Sequence, residues 1–246
     1  MCEGSLAMST RYGLARVLSK RGLCSRSEAE RRIRAGEVTV AGRVVRDPEA
    51  PTRLDQTDIV LADVPAACAA RRYLILNKPR GLVTSARDEQ GRDTVYRCFD
   101  GHELPWVAPA GRLDQASEGL LLFSNDPVWN AAITEPRTPL HKTYHVQIGA
   151  IPDPEHLQQL QQGIVDQGER LRVVSADLLR HGQRNAWLQI VLDEGRNRHI
   201  RRLLQAQQWS VLRLIRVAIG PIHLGELGKG QFRDLTEAER SALAAL

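Results

Sequence analysis

Cysteine is scarce in this chain of 246 residues. The four cysteines, Cys2, Cys24, Cys68 and Cys98, are scattered, and no two stand in a C-x-x-C spacing. That argues against a zinc knuckle or a dithiol redox motif, and free thiols in a reducing cytoplasm are the expectation. Long apolar runs are also missing. Leu120-Leu121-Leu122-Phe123 is one of the longest, far short of the ~20 residues of a membrane helix. The opening Met1-Cys2-Glu3-Gly4-Ser5 has no basic and no apolar stretch, so no secretory signal is expected, and Met8 is an alternative start. Lysine is rare: of 34 basic residues only Lys20, Lys78, Lys142 and Lys229 are lysines. What is present suits one or two ordinary domains. Apolar residues make up 42% and charged residues 26%, which supports a core and excludes disordered or collagen-like classes.

The net charge is +5, and it is unevenly spread. Between Arg11 and Arg46 ten basic residues face three glutamates, a local excess of +7. A second cluster, Arg196, Arg198, Arg201, Arg202, Arg213 and Arg216, lies in a stretch with no acid. Arginine presents a planar fork of donors that suits phosphate oxygens. Two such clusters point to a polyanion partner, with RNA or DNA first; a solvated arginine-rich face is the plain alternative.

Local signals give a coarse map. Gly13 to Gly22 reads as a short helix with Leu14, Val17 and Leu18 on one face. Ser27-Glu28-Ala29-Glu30 is a capping-box pattern that predicts a second helix from Glu28 to near Gly36, carrying Arg31, Arg32 and Arg34. Val38-Thr39-Val40, Ala41-Gly42 and Arg43-Val44-Val45 predict a hairpin. Asp58 to Arg72 reads as a strand end plus linker. Further on, strands are predicted at Arg71 to Lys78, Leu120 to Phe123, Lys142 to Ile148 and Trp187 to Leu192. Helices are predicted after the Asp126-Pro127 cap, over Pro154 to Gly163 and over Arg198 to Gln207. Ala110 to Gly119 is polar, bounded by glycine, and predicted to be a loop. Without a regular βαβ alternation, the class is α+β with a mixed or antiparallel sheet.

The run Leu18-Ser19-Lys20-Arg21-Gly22-Leu23-Cys24-Ser25-Arg26-Ser27-Glu28-Ala29, followed by Ile33, Gly36-Glu37-Val38-Thr39-Val40 and Gly42, resembles an S4 RNA-binding domain. Gly111-Arg112-Leu113-Asp114 with Ser117-Glu118-Gly119-Leu120-Leu121-Leu122-Phe123-Ser124-Asn125-Asp126 resembles the signature of the RsuA family of pseudouridine synthases. Asn77-Lys78-Pro79-Arg80-Gly81, Lys142-Thr143-Tyr144, Glu194-Gly195-Arg196-Asn197-Arg198-His199-Ile200-Arg201-Arg202 and Lys229-Gly230-Gln231-Phe232-Arg233-Asp234-Leu235 match in the family's order. One position departs: His199 stands where members usually carry glutamine. The resemblance implies a flexible tail over 1–10, an S4-like αα-β domain over 11–57, a linker over 58–71 and a mixed, mainly antiparallel-sheet catalytic domain over 72–246.

The chemistry so implied breaks the N1–C1′ bond of a uridine in structured RNA, turns the base and rejoins it through C5. No atom is gained or lost, so no cofactor and no metal are expected. One ionised carboxylate is needed, and Asp114 matches it, as nucleophile or as base at the ribose. Burial beneath a base would favour its protonated form; Arg201 matches the family's salt-bridging arginine, and Tyr144 the family's stacking tyrosine. Arg112 is expected to hold phosphate or the space left by the flipped base. Arg16, Lys20, Arg26, Arg31 and Arg32 of the first cluster, and Arg196 and Arg198 of the second, are the expected RNA contacts. Ribosomal RNA is the expected partner, with no membrane and a monomeric state.

Other readings were weighed on the same residues. A non-catalytic RNA-binding assembly factor would have no need of Asp114, Tyr144 and Arg201 together. A hydrolase of sugar bonds commonly pairs two carboxylates, and only Glu118 lies near Asp114 in sequence. His141 and His145 have no third ligand in view for zinc. Gly225, Gly228 and Gly230 around Lys229 lack the order of a phosphate-binding loop.

Overall fold

A computed structural model describes residues 11–62, 70–136 and 138–244. The expected tail over 1–10 and most of the expected linker, 63–69, lie outside the described residues. The chain divides into two compact units. One comprises 11–62, 70–72, 102–108 and 124–129; the other comprises 73–101, 109–123 and 130–244.

The first unit opens with β1 (Arg11–Gly13), α1 (Leu14–Lys20) and α2 (Arg26–Ala35), followed by β2 (Val38–Val40), β3 (Arg43–Val44), β4 (Pro51–Arg53) and β5 (Ile59–Leu61). Leu14, Val17 and Leu18 of α1 pack with Ala29 and Ile33 of α2 and with Val38. Helix α2 begins two residues before the predicted start at Glu28. Its cap is Ser25, whose hydroxyl accepts from the backbone N–H of Glu28 at 3.1 Å. Gly36 ends it in the left-handed conformation at φ 84°. The β2–β3 turn puts Ala41 at φ 51° and Gly42 at φ 74°, as a two-residue hairpin with a primed turn requires. Strand β5 falls in the stretch expected to be linker. It pairs antiparallel with β2, and Ile59 and Leu61 are buried in this core, so the unit runs at least to Leu61.

The second unit carries β6 (Tyr73–Lys78), a 3-10 turn (Val95–Phe99), β7 (Ala108–Ala110), β8 (Glu118–Ser124), α3 (Pro127–Thr134), β9 (Lys142–Ile148), α4 (Pro154–Gln162), β10 (Ile164–Asp166), β11 (Glu169–Leu171), β12 (Ser175–His181), β13 (Ala186–Leu192), α5 (His199–Ala206), β14 (Val211–Ile219), β15 (Ile222–His223), β16 (Phe232–Asp234) and α6 (Glu237–Ala244). Both β7 and α3 cross the division between the units. The main sheet has nine strands, in the order β12-β13-β9-β14-β8-β6-β16, with β15 on β14 and β7 on β8. β14 runs parallel to β8 and antiparallel to β9, so the sheet is mixed, as expected.

Period-2 burial in β9 and β13 gives the sheet one apolar face. Helix α4 packs against β12, and α5 against β14, burying Leu160, Ile200, Leu203 and Leu204. Strand β8 is different: all seven residues are buried, as in a strand covered on both faces. It follows the polar loop 111–117, so that loop is anchored to the best-packed strand of the sheet.

Candidate active site

The loop 111–117 joins β7 to β8, and its backbone is tied at every step. Thr84 Oγ1 donates to the carbonyl of Leu113 at 2.8 Å. The carbonyl of Asp114 accepts from Ser117 N at 3.0 Å, and that of Gln115 from Gly81 N at 2.8 Å. Arg201 Nη2 donates to Ala116 O at 3.0 Å, and Lys78 Nζ to Ser117 O at 2.9 Å. From Leu113 to Ser117 each carbonyl is thus taken by a different donor. Leu113 is itself buried and pins the loop from beneath. A loop held this way cannot drift, and the Asp114 carboxylate inherits a defined position.

Asp114 borders two depressions. The first is a cavity of about 350 Å³, lined by Arg112, Tyr144, His199, Arg201, Leu214 and Arg216 among others. Its lining mixes apolar side chains, Leu113, Ile133, Leu192 and Leu214, with a ring of cations, and its size suits a flat organic ring beside an anionic backbone. The second is a more open recess lined by Arg80, Gly81, Gln115, Ala116 and Arg198. Arg198 borders both, and it sits at φ 49°, a left-handed residue ahead of α5. Tyr144 is buried and faces the cavity.

The expected Arg201–Asp114 ion pair is not closed among the described residues. The guanidinium is spent on Ala116 O, and its Nε is buried with no partner. The two charges still influence each other. Burial, then Arg198, pulls the Arg201 pKa down, while Asp114 supports the charged form. Lys78 is fully buried and is pushed down to about 8, mainly by burial. Lys142 is likewise lowered by burial and then by Arg216.

Glu118 is not a second free acid. It is 4% exposed in its side chain, accepts from Arg213 Nε and Nη2 at 3.0 Å each, and lies 2.7 Å from Lys229 Nζ. Burial alone would raise its pKa, and these cations reverse the sign. The two-carboxylate hydrolase reading loses its partner here.

Comparison with known proteins bears on the same residues. The family described as RNA pseudouridylate synthase matches residues 72–206, and the S4 domain matches 13–56. The chain belongs to the RNA pseudouridylate synthase family. A relative from Aquifex aeolicus (strain VF5), named an uncharacterized RNA pseudouridine synthase, is 36% identical over 231 residues, covering 93% of this chain and 92% of its own. Ribosomal large subunit pseudouridine synthase B of Bacillus subtilis (strain 168) is 33% identical over 241 residues, covering 95% and 96%. A crystal structure of a pseudouridylate synthase is similar at TM-score 0.65 and 30% identity, over 96% of this chain and 100% of that one. The RsuA-type signature and the S4 domain together make this chain an RNA pseudouridine synthase.

In the synthase unit the sequence-predicted residues converge. Asp114, Tyr144, Arg201, Arg112, Arg196 and Arg198 all line the one cavity, with Arg196 paired to Glu194 at 2.9 Å. Arg202 does not join them: it is tied to Asp166 and Glu169. In the S4 unit the predicted contacts split into two kinds. Arg26 pairs with Glu49 at 3.2 Å, Arg31 with Glu28 at 2.6 Å, and Arg32 with Glu37 at 3.1 Å. Arg16 and Lys20 instead lie over the ring of Tyr12, at 5.1 and 4.2 Å from its centroid. Among these predicted contacts the charge of α2 is thus largely matched, and Arg16 and Lys20 of α1 are the ones not committed to an acid.

Arg216 was missed as a site residue. Its sequence signals are its membership of the second arginine cluster and its place on an alternating strand, between Leu214 and Ala218 on the buried face of β14. Lys78 and Lys142 were visible in matched motifs, but nothing local marked their burial.

Proposed function

We propose that Asp114 is the catalytic carboxylate and that the substrate is a uridine in ribosomal RNA. The observation that carries this is the Asp114 loop. Five successive tied carbonyls fix one carboxylate at the border of a cavity with Tyr144 on its wall. A uridine turned out of its helix would stack on Tyr144 and bring its glycosidic bond to Asp114. Asp114 then either attacks C1′ or removes a proton from the ribose. In both routes the N1–C1′ bond breaks, the base turns, C5 bonds to C1′, and the proton leaving C5 is balanced by one gained at N1; in the first route the new C5–C1′ bond displaces Asp114 from C1′, and in the second Asp114 returns its proton to the ribose. The sum is an isomerisation with no redox change. Arg201, Arg216 and Lys142 line the same cavity as Asp114, and the buried Lys78 holds the carbonyl of Ser117 in its loop. Ribosomal RNA is supported by two relatives whose names specify the large ribosomal subunit, from Bacillus subtilis and Vibrio parahaemolyticus. The S4 unit would supply the electrostatic grip on that RNA.

The test is a pseudouridine map of total RNA from a strain lacking the protein, complemented with wild type or with Asp114→Asn. The expected result is loss of one or a few sites in large-subunit RNA, restored by wild type alone. Restoration by Asp114→Asn would overturn the catalytic assignment. Loss confined to transfer RNA would overturn the substrate.

A further inference from the structure

We propose that Arg216 reads the pyrimidine edge of the flipped base, donating from Nη2 to one of its carbonyl oxygens; this rests on the proposed function above. Arg216 is 4% exposed, yet among the described residues it meets no carboxylate in an ion pair. Two of its nitrogens are used on the backbone: Nε donates to Leu120 O at 2.7 Å, and Nη1 reaches Arg112 O at 3.5 Å. The third, Nη2, is buried with no acceptor. A permanently charged donor left unmatched in a protein interior is costly. Arg216 lines the cavity, and an occupant that supplies an acceptor would recover that cost.

Strand register says what the occupant presents. In the antiparallel pair β14–β9, Arg216 is directly opposite Tyr144. Directly opposed residues project side by side on one face, and both of these border the same cavity. The register shifts just beyond, between Arg216 and Ala218, the kind of bulge that re-aims a side chain. A ring stacked on Tyr144 therefore has its edge toward Arg216. Uracil carries two carbonyl acceptors. Cytosine replaces one of them with an amino group, which a fixed donor cannot accept. The same cation would serve the reaction. When the N1–C1′ bond breaks with its electron pair left on the base, that charge spreads onto the two carbonyl oxygens, where Arg216 stands.

The probe is a synthetic RNA stem-loop centred on the uridine mapped above, made with uridine, 2-thiouridine or 4-thiouridine at that position. Sulfur is a poor acceptor, so wild type is expected to process one of the two thio-RNAs at least about tenfold more slowly than the uridine RNA. In Arg216→Gln, with folding checked by thermal denaturation, the uridine rate falls and the thio penalty shrinks to within about twofold, the non-additivity that marks a shared contact. If Arg216→Gln does not fold, Arg216→Lys keeps a cation at the position, and its thio penalty is expected to be smaller than that of wild type. Equal rates of wild type on all three RNAs, or an unchanged penalty in the folded variant, would overturn the role of Arg216. If wild type forms no pseudouridine even in the uridine RNA, the functional reading fails first and this proposal with it.

Discussion

Gly119 is the position where a single methyl group should do the most damage. It sits at φ 103°, where an L side chain is strained, in strand β8 directly opposite Arg216 of β14. A Cβ there would overlap the carbonyl oxygen of Arg216 and come to 2.9 Å from its backbone nitrogen and 3.0 Å from Ile215 Cγ2. Two of these three contacts are backbone atoms of a central strand and cannot rotate away. The backbone strain costs about 1 to 3 kcal/mol, and overpacking a tight site adds about 1 to 3 kcal/mol. The expected cost of Gly119→Ala is therefore about 2 to 6 kcal/mol, and the melting temperature should fall by about 4 to 24 °C.

Gly81 provides the control. Its φ is 102°, almost the same, but a Cβ there meets nothing within 4 Å. Gly81→Ala therefore bears the strain without the collision, and the difference between the two variants isolates the overlap. Forcing β14 from β8 also carries Arg216 away from the Asp114 loop. Displacement by about 1 Å is enough to cost roughly a hundredfold in rate. Thermal and urea denaturation, with pseudouridine formation in the mapped RNA, provide the assay. A Gly119→Ala protein no less stable than Gly81→Ala would refute the reasoning.

Other outcomes follow from the same contacts. Arg201→Ala should lower the rate by at least about a hundredfold with little change in melting temperature, whereas Arg202→Ala should lower the melting temperature and spare the rate, because its partners are Asp166 and Glu169; equal effects on rate would put the wrong arginine at the site. Removing Arg16 and Lys20 together should flatten the plot of log affinity against log salt by ~0.7 to 0.9 per lost phosphate contact, while removing Arg31, already held by Glu28, should change the slope less; the reverse order would show that α2 is the gripping helix. Burial lowers the pKa of His199 below its usual 6.5, so the unfolded chain takes up that proton more readily than the folded one. The stability tied to neutral His199 is present above pH 6.5 and lost as pH falls below it; His199→Gln should remove this acid slope, and an unchanged stability profile in urea titrations from about pH 7 to 5 would rule it out.

Elements set by local chemistry were legible in the sequence. Asp126 caps α3, accepting from Val128 N at 3.1 Å, with Pro127 as the first helical residue. β9 runs from Lys142 to Ile148, as its alternation indicates. The start of α2 was misread because two Ser-x-x-Glu patterns overlap, Ser25 with Glu28 and Ser27 with Glu30. Only the hydrogen bond from Glu28 N to Ser25 identifies the cap in use. β5 was read only as a strand end leading into the linker, because three residues are too few for a period; its pairing with β2 is what places it in the first unit. The ion pairs on α2 were legible in principle: Glu28 with Arg31 and Arg32, and Glu30 with Arg34, have helical spacings. Counting net charge obscured that these arginines are already matched.

Arg216 and Lys78 mark where sequence reading stops. Nothing within ten residues of either states that it is buried, because what buries them is the meeting of β6, β8 and β14 with the Asp114 loop. Buried cations are costly, and both are kept by their hydrogen bonds to backbone. Lys78 holds Pro79 O and Ser117 O, and Arg216 holds Leu120 O. Replacing either by an apolar residue of similar size would relieve the cost of burying charge and strand the carbonyls it satisfies. Ser117 O closes the loop that carries Asp114, and Leu120 O lies in the strand that follows it. The same groups also surround the carboxylate with positive charge, since Arg216 lowers the pKa of both Lys78 and Lys142, while Asp114 supports the protonated form of Lys78. The cations that close the backbone hydrogen bonds of the loop are thus the same ones that stand around its carboxylate.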